Sequence, residues 1–345
     1  MRQQGGQAVT PDGASAWGAI AALLPRRSLL AAALCAVAAL GWTADPASAQ
    51  GKLDRITIDW ATYNPLSVLI RKEGLLEKEF ARDGIAVRWV QSAGSNKALE
   101  YLNAFSIDIG SAAGAPALLG RVGGNPVKAV GVFSQPEWTA LVTKDPAIHA
   151  PADLKGKRVA VTRGTDPHIF LVRALAKAGL GEKNVKLVLL QHADGRAALA
   201  RGDVDAWAGL DPIMASAELE DGAKLFYRDP AANTWGVILT REAFASAHPD
   251  LVRRVLAVYE AARQEALAHP DTLAAALGEA TKLPPPVIAR QLERTRLDTT
   301  RIGAAQAATI DEAGAALQQA GVIAPDVDVK ATTAALVDPG LAAER

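Results

Sequence analysis

The order of elements along this sequence occurs twice, and that duplication limits the possible folds more than any other feature. The first pass opens with β-branched and aromatic residues at 56–60, a strand pattern. A polar turn, Thr62-Tyr63-Asn64-Pro65, follows, then apolar residues at helical spacing over 66–80. A second strand at 85–90, a turn at 93–96, a short helix at 98–105 and a third strand at 107–110 complete the unit. The second pass has a strand at 158–162, a turn at 164–168, a helix at 169–178 and a strand at 185–190. A turn at Ala193-Asp194-Gly195, a short helix at 196–200 and a strand at 204–207 close it.

Strands alternating with helices pair in parallel through right-handed crossovers. Two such units predict an α/β molecule with two similar lobes, and 345 residues is a comfortable length for that. Beyond Phe244 the pattern turns helical, over 249–268, 271–280, 287–294 and 303–320, with Pro284-Pro285-Pro286 separating two of these stretches. This tail is expected to pack on the first lobe. The chain then crosses between lobes twice, near 139–143 and 234–239, which assigns 50–140 and 236–345 to lobe 1 and 141–235 to lobe 2. Two independent domains in series is the alternative.

Residues 1–49 are read as an export signal. Arg26-Arg27-Ser28-Leu29-Leu30 has the twin-arginine form, and the apolar run that follows ends near Trp42, short of the ~20 residues a spanning helix needs. Ala47-Ser48-Ala49 offers a small-x-small cleavage site, so the mature chain is expected to begin at Gln50 and to work in the periplasm. The single cysteine, Cys35, lies in the removed segment, which leaves no disulfide, thiolate nucleophile or cysteine metal site. With 37 basic and 37 acidic side chains, nothing favours a nucleic-acid partner. No HExxH spacing points to zinc and no phosphate loop points to ATP hydrolysis.

Ligands of open α/β sheets sit beyond the carboxyl ends of the strands, and here those ends carry helix-start chemistry. Asn64 precedes Pro65, Ser95 or Asn96 can cap the helix from Ala98, Gly114 and Pro116 follow the third strand, Thr165 and Asp166 precede Pro167, and Asp211 precedes Pro212. Each helix start exposes unpaired N–H groups and a partial positive charge, so several converging on one gap would hold an anion. A micromolar complex needs about 8 kcal/mol. One helix start supplies at most ~2 kcal/mol and a charge-assisted hydrogen bond ~1.5–3 kcal/mol. Three or four donors closed off by a second lobe are therefore required. Trp138 and Trp235 flank the expected crossovers and suit an alkyl chain, whereas Trp207 reads as core.

Several segments resemble the aliphatic-sulfonate-binding proteins of ABC importers, a family with taurine- and nitrate-binding relatives. They are Gly74-Leu75-Leu76-Glu77, Ala93-Gly94-Ser95-Asn96-Lys97-Ala98-Leu99-Glu100, Ser106-Ile107-Asp108-Ile109-Gly110-Ser111, Ala152-Asp153-Leu154-Lys155-Gly156-Lys157-Arg158 and Gly202-Asp203-Val204-Asp205-Ala206-Trp207 with Asp211-Pro212. The resemblance implies a type-2 periplasmic binding protein fold, two α/β lobes joined by two crossovers, with no catalysis and no cofactor. It implies a monomer that meets a small anionic ligand, an ABC permease and its ATPase subunit. It places the ligand against Thr62, Tyr63, Asn64, Ser95, Asn96 and the backbone of Ala113 and Gly114. Thr165, Asp166, His168, Asp211 and Trp235 would complete the site. Where the family often has Ser-Thr-Gly-Asp, this chain has Ser111-Ala112-Ala113-Gly114-Ala115, without the carboxylate suited to an amine. A simple sulfonate therefore fits better than taurine. Other readings are nitrate, a thiamine-precursor pyrimidine, a sensor-coupled binding protein, or an enzyme on the same fold using His168 or Asp211 as base.

Overall fold

The computed structural model describes residues 53–341; the export signal, Cys35 and the cleavage triplet lie outside them. The first lobe opens with β1 (Arg55–Trp60), α1 (Pro65–Lys72), α2 (Leu75–Phe80), β2 (Ala86–Gln91), α3 (Ser95–Asn103), β3 (Ile109–Ala113), α4 (Gly114–Val122) and β4 (Val127–Pro136). The second contains β5 (Leu141–Thr143), β6 (Arg158–Val161), α5 (Asp166–Lys177), β7 (Lys186–Leu189), α6 (His192–Arg201), β8 (Ala206–Ala208), α7 (Ile213–Glu220) and β9 (Lys224–Tyr227). The chain returns through β10 (Gly236–Arg241), α8 (Glu242–Ala247), α9 (Pro249–Ala268), α10 (Pro270–Thr281), α11 (Pro285–Glu293), β11 (Thr295–Arg296), α12 (Ala304–Gln319) and α13 (Val329–Leu336).

Two sheets result, ordered β11-β4-β10-β3-β1-β2 and β7-β6-β8-β5-β9. Leaving out β11, the two orders match strand for strand. Each has three parallel strands, and beside them an antiparallel strand that has just crossed from the other lobe, β10 in the first and β5 in the second. The carboxyl ends of β1, β2 and β3 lead into α1, α3 and α4, and those of β6, β7 and β8 lead into α5, α6 and α7. Six helix starts are therefore available at the strand ends.

Strand alternation separates the two faces of the second sheet. Leu141, Val159, Val161, Ala206 and Ala208 join Phe170, Leu171 and Leu175 in one cluster. Their strand neighbours Val142, Ala160 and Trp207 join Leu199 and Met214 in another. In the first lobe, Leu66, Leu69 and Ile70 pack with Val255, Tyr259 and Leu277 of the tail. Leu102 and Leu118 pack with Ile310 and Leu317. The tail thus builds both flanks of lobe 1, while α11 also meets α7 and α12 meets α5. Among the described residues no helix is long and apolar enough to cross a membrane.

Two elements differ from the sequence expectation. The apolar spacing over 66–80 suggests one helix, but Gly74 takes a left-handed conformation (φ 60°, ψ 37°) and splits it into α1 and α2. Glycine adopts that region at little cost, so the apolar register continues across a broken axis. Ala193-Asp194-Gly195 suggests a turn, yet all three lie inside α6. The glycine answers to packing there: a Cβ on Gly195 would stand 2.6 Å from Trp207 Nε1.

Candidate ligand site between the lobes

The two chain crossings are tied to the start of α5. Asp166, its first residue, accepts hydrogen bonds from Trp138 Nε1 (2.9 Å), Thr234 N (3.1 Å) and Thr234 Oγ1 (2.7 Å). Burial raises this carboxyl above its usual range, while the Trp138 and Thr234 donors pull it back. Thr139 N donates to Asn233 Oδ1 (3.0 Å) and Thr139 Oγ1 to Gly209 O (2.7 Å). Arg228 grips Glu137 with two bonds, of 2.7 and 2.8 Å, one partner on each crossing. Asp166 thus ties both crossings to α5, and both of its oxygens are engaged within the protein.

In the first lobe, the residues after β1 turn inward. Tyr63 donates its hydroxyl to Ser111 O (2.9 Å), and its ring packs against Phe133 and Trp138. Asn64 accepts from Ser67 N (3.2 Å), capping α1, and its amide donates to Tyr259 Oη (3.3 Å). The Thr62 carbonyl accepts from Gln291 Nε2 at 2.7 Å. Beneath them, Asp59 is fully buried and accepts from Ser111 Oγ at 3.0 and 3.1 Å. Burial pushes its carboxyl up to about 7, against the opposing pull of the Ser111 hydrogen bonds.

The start of α4 is also satisfied from within. Ala113 N donates to Ser95 Oγ (3.0 Å), Gly114 N to Trp235 O (2.9 Å) and Ala115 N to Thr234 Oγ1 (3.2 Å). A Cβ on Gly114 would lie 2.7 Å from Ile310 Cγ1, so this glycine admits α12. Trp235 packs, partly buried, against the lobe 1 core.

The lobes meet where α3 faces α5 and α6. Asn96 Cβ lies 3.7 Å from the position a Cβ on Gly164 would take. A Cβ on Gly94 would stand 2.9 Å from Asn96 Oδ1 and 3.1 Å from His192 Nε2, which come from opposite lobes. Both atoms are buried and neither has a hydrogen-bond partner among the described residues. The amides of Ser95 and Asn96 likewise take no protein acceptor there. Thr165 borders this place but donates its hydroxyl to Thr162 O (2.6 Å). His168 turns away, its Nε2 against Glu182 Oε1 at 2.8 Å.

Asp211 joins the lobes between α7 and the end of α11. It accepts from Ala215 N (2.9 Å) in the first turn of α7 and lies 3.3 Å from the Arg294 guanidinium, which follows α11 and also holds Glu218. Burial pushes the Asp211 carboxyl up to about 7, although the Arg294 charge pulls it down.

The predicted residues thus separate into groups. Ser95, Asn96 and Thr165 gather at the interlobe gap. Thr62, Tyr63, Asn64, Ala113, Gly114 and Trp235 support lobe 1 from inside, Asp166 and Asp211 join the lobes, and His168 packs within lobe 2. Sequence reasoning missed His192. A signal existed: it follows the second strand of its half, as Ser95 follows the second strand of the other.

Two matching α/β lobes joined by a double crossing, with helix starts at the strand ends, define the periplasmic binding protein fold. The chain belongs to the NMT1/THI5-like family, whose match covers residues 79–273. It is 32% identical over 268 residues to a putative aliphatic sulfonates-binding protein of Escherichia coli, covering 76% of this chain and 83% of that one. The Bacillus subtilis protein of the same description is 30% identical, covering 68% and 71%. The alkanesulfonate-binding protein SsuA from Xanthomonas axonopodis pv. citri, solved with MOPS bound, superposes with a TM-score of 0.74 at 27% identity, covering 83% of this chain and 99% of that one.

Proposed function

We propose that this protein captures a small organic anion, an alkyl sulfonate, between its lobes and delivers it to an ABC permease driven by a separate ATPase. The observation that carries the reading is the interlobe meeting point: the first turn of α3, with unengaged amides at Ser95 and Asn96, opposes the starts of α5 and α6 across Gly94 and Gly164. A sulfonate presents three oxygens and one negative charge, which suits amides arriving from several directions. Its alkyl group needs no polar partner. The Escherichia coli and Bacillus subtilis relatives are described as aliphatic sulfonate-binding proteins, which supports the same ligand class.

Closure supplies what a single helix start cannot. Donors from one lobe hold the anion weakly in water; the second lobe adds donors and removes solvent, which strengthens each bond. The Asp166–Trp138–Thr234 bonds act as the hinge frame, and Arg294 with Asp211 and Glu218 fastens the closed form. Residues 1–49 serve as the export signal, cleaved after Ala49, so that capture happens in the periplasm.

Calorimetry of the chain beginning at Gln50 tests the reading, with ethanesulfonate, taurine, nitrate, sulfate and a thiamine-type pyrimidine as ligands. Ethanesulfonate is expected to bind with a Kd of about 1 μM or tighter, the range that ~8 kcal/mol allows, and at least tenfold more tightly than taurine. Tight binding of the pyrimidine alone would replace the sulfonate reading.

A further inference from the structure

Resting on the sulfonate reading, we propose that His192 is a ligand contact that takes up a proton when the anion enters. Its imidazole is held in one tautomer. Thr162 Oγ1 has a single hydrogen and gives it to Leu190 O at 2.7 Å, so the same oxygen must accept from His192 Nδ1 at 3.2 Å. In the neutral ring Nε2 is then a bare lone pair, buried, without a donor, and aimed across the lobe boundary toward Gly94 and Asn96. A lone pair repels a sulfonate oxygen. Adding a proton at Nε2 turns the same atom into a charged donor without disturbing the Thr162 bond. Rotating the Asn96 side-chain amide by half a turn likewise presents its NH2 in place of Oδ1.

The surroundings of the ring disfavour that proton. Burial lowers the His192 imidazole to about 3, and the ring stands on the first residue of α6, at the positive end of the helix. The charged groups on the surrounding elements do not counter this, because most have partners of their own. Arg196 is paired with Glu220 and Asp221, Lys97 with Glu100, Arg158 with Asp205, and Glu218 with Arg290 and Arg294. Arg163 sits 3.7 Å from Glu182, and Asp194 lies on α6 itself. An anion against Nε2 offsets both penalties and raises the pKa. Between the empty and liganded pKa values, binding consumes one proton. Affinity is then greatest at low pH and weakens as pH rises, by up to about tenfold per unit.

The test is calorimetry of ethanesulfonate binding between pH 5.5 and 8.5, in buffers of different ionisation enthalpy, with 15N-imidazole NMR of the free and bound protein. The expected results are uptake of about one proton per ligand near neutrality and an Nε2 resonance that moves to the protonated position on binding. His192→Gln places a neutral N–H near the same point. That variant should still bind, with proton uptake and pH slope both lost. Tight sulfonate binding with no proton uptake in the wild type overturns the His192 proposal and leaves the ligand class standing. No sulfonate binding at any pH overturns both.

Discussion

Lobe 1 keeps a polar network under its helix starts, running from Asp59 through Ser111 and Tyr63 and, beside it, from Asn64 to Tyr259. Lobe 2 has the same sheet order, but β6, the counterpart of β1, contributes Val159, Ala160 and Val161 to apolar clusters. At the boundary it presents His192, whose buried Nε2 has no partner among the described residues, opposite the likewise unpartnered Asn96 Oδ1 of lobe 1. The same topology therefore serves two tasks. Interior hydrogen bonds fix the turn backbone of lobe 1 in place. Lobe 2 brings His192 to the boundary with a buried Nε2 that has no hydrogen-bond partner among the described residues. Four changes test this division, in order of expected size.

Asp59→Asn addresses the lobe 1 interior. An unfolded aspartate releases its proton near the ordinary value of 3.8, whereas burial holds it in the folded protein up to about 7. The folded state binds the extra proton between those values. Its stability is therefore fully present below about pH 4 and falls as pH rises to about 7, by roughly 4 kcal/mol at 1.36 kcal/mol per unit. In the Asp59→Asn variant, urea unfolding should lose that part of the pH dependence while Ser111 Oγ keeps an acceptor. A wild-type stability flat between pH 4 and 8 would show that the network does not bury a protonated carboxyl.

Arg294→Leu addresses the bonds that Asp211 and Glu218 make between the lobes. The substitution leaves Asp211, 2% exposed, without its charge partner, and removes one of the cations on Glu218. A loss of about 3 kcal/mol is expected, the lower end for a broken buried pair, because Glu218 is a quarter exposed and keeps Arg290. Small-angle scattering at saturating sulfonate should report a larger radius of gyration than the wild type. Asp211→Asn in the same background should recover part of the stability above about pH 7, where the carboxyl would otherwise ionise with no cation beside it. An unchanged radius and affinity would mean that the hinge bonds alone hold the closed form.

The division between the lobes was only partly legible in the sequence. Element order, the two crossings and the helical tail follow from local periodicity, because each is set by residues a few positions apart. The roles of the capping residues do not. Asn64, Asp166 and Asp211 all read as cleft groups from turn chemistry, yet their partners Tyr259, Thr234 and Arg294 lie 195, 68 and 83 positions away. Nothing in local spacing indicates which of two acceptors, ligand or protein, a capping side chain will meet. His192 escaped for a related reason. Asp194 and Gly195 look like turn residues, and only the ring of Trp207 beneath Gly195 explains why the helix runs through them and begins at the histidine.

Gly94→Ala sharpens the contrast at the point where the lobes touch. The new methyl would stand 2.9 Å from Asn96 Oδ1 and 3.1 Å from His192 Nε2. The backbone there is extended and accepts alanine, so any effect comes from crowding. Overpacking of this kind costs ~1–3 kcal/mol; the Asn96 amide is the end of a flexible side chain and can turn aside, which leaves the contact with His192 across the lobes. Sulfonate affinity should drop about tenfold, equivalent to 1.4 kcal/mol, with urea stability of the free protein nearly unchanged. Unchanged affinity would place the ligand away from the Gly94–His192 contact.

Asn64→Ala has the smallest expected effect and separates support from contact. Asn64 is fully buried and caps α1 through Ser67 N, so its loss should lower stability by ~1 kcal/mol, the usual worth of an N-cap. The hydroxyl of Tyr259 also loses its amide donor, but it remains free to donate elsewhere. Because neither bond reaches the interlobe gap, ethanesulfonate affinity measured by calorimetry should stay within about twofold of the wild type, under 0.5 kcal/mol. A tenfold loss of affinity at this position, with stability intact, would move Asn64 from the interior of lobe 1 to the ligand, and the contrast between an inward-facing first lobe and a boundary-facing second lobe would fail.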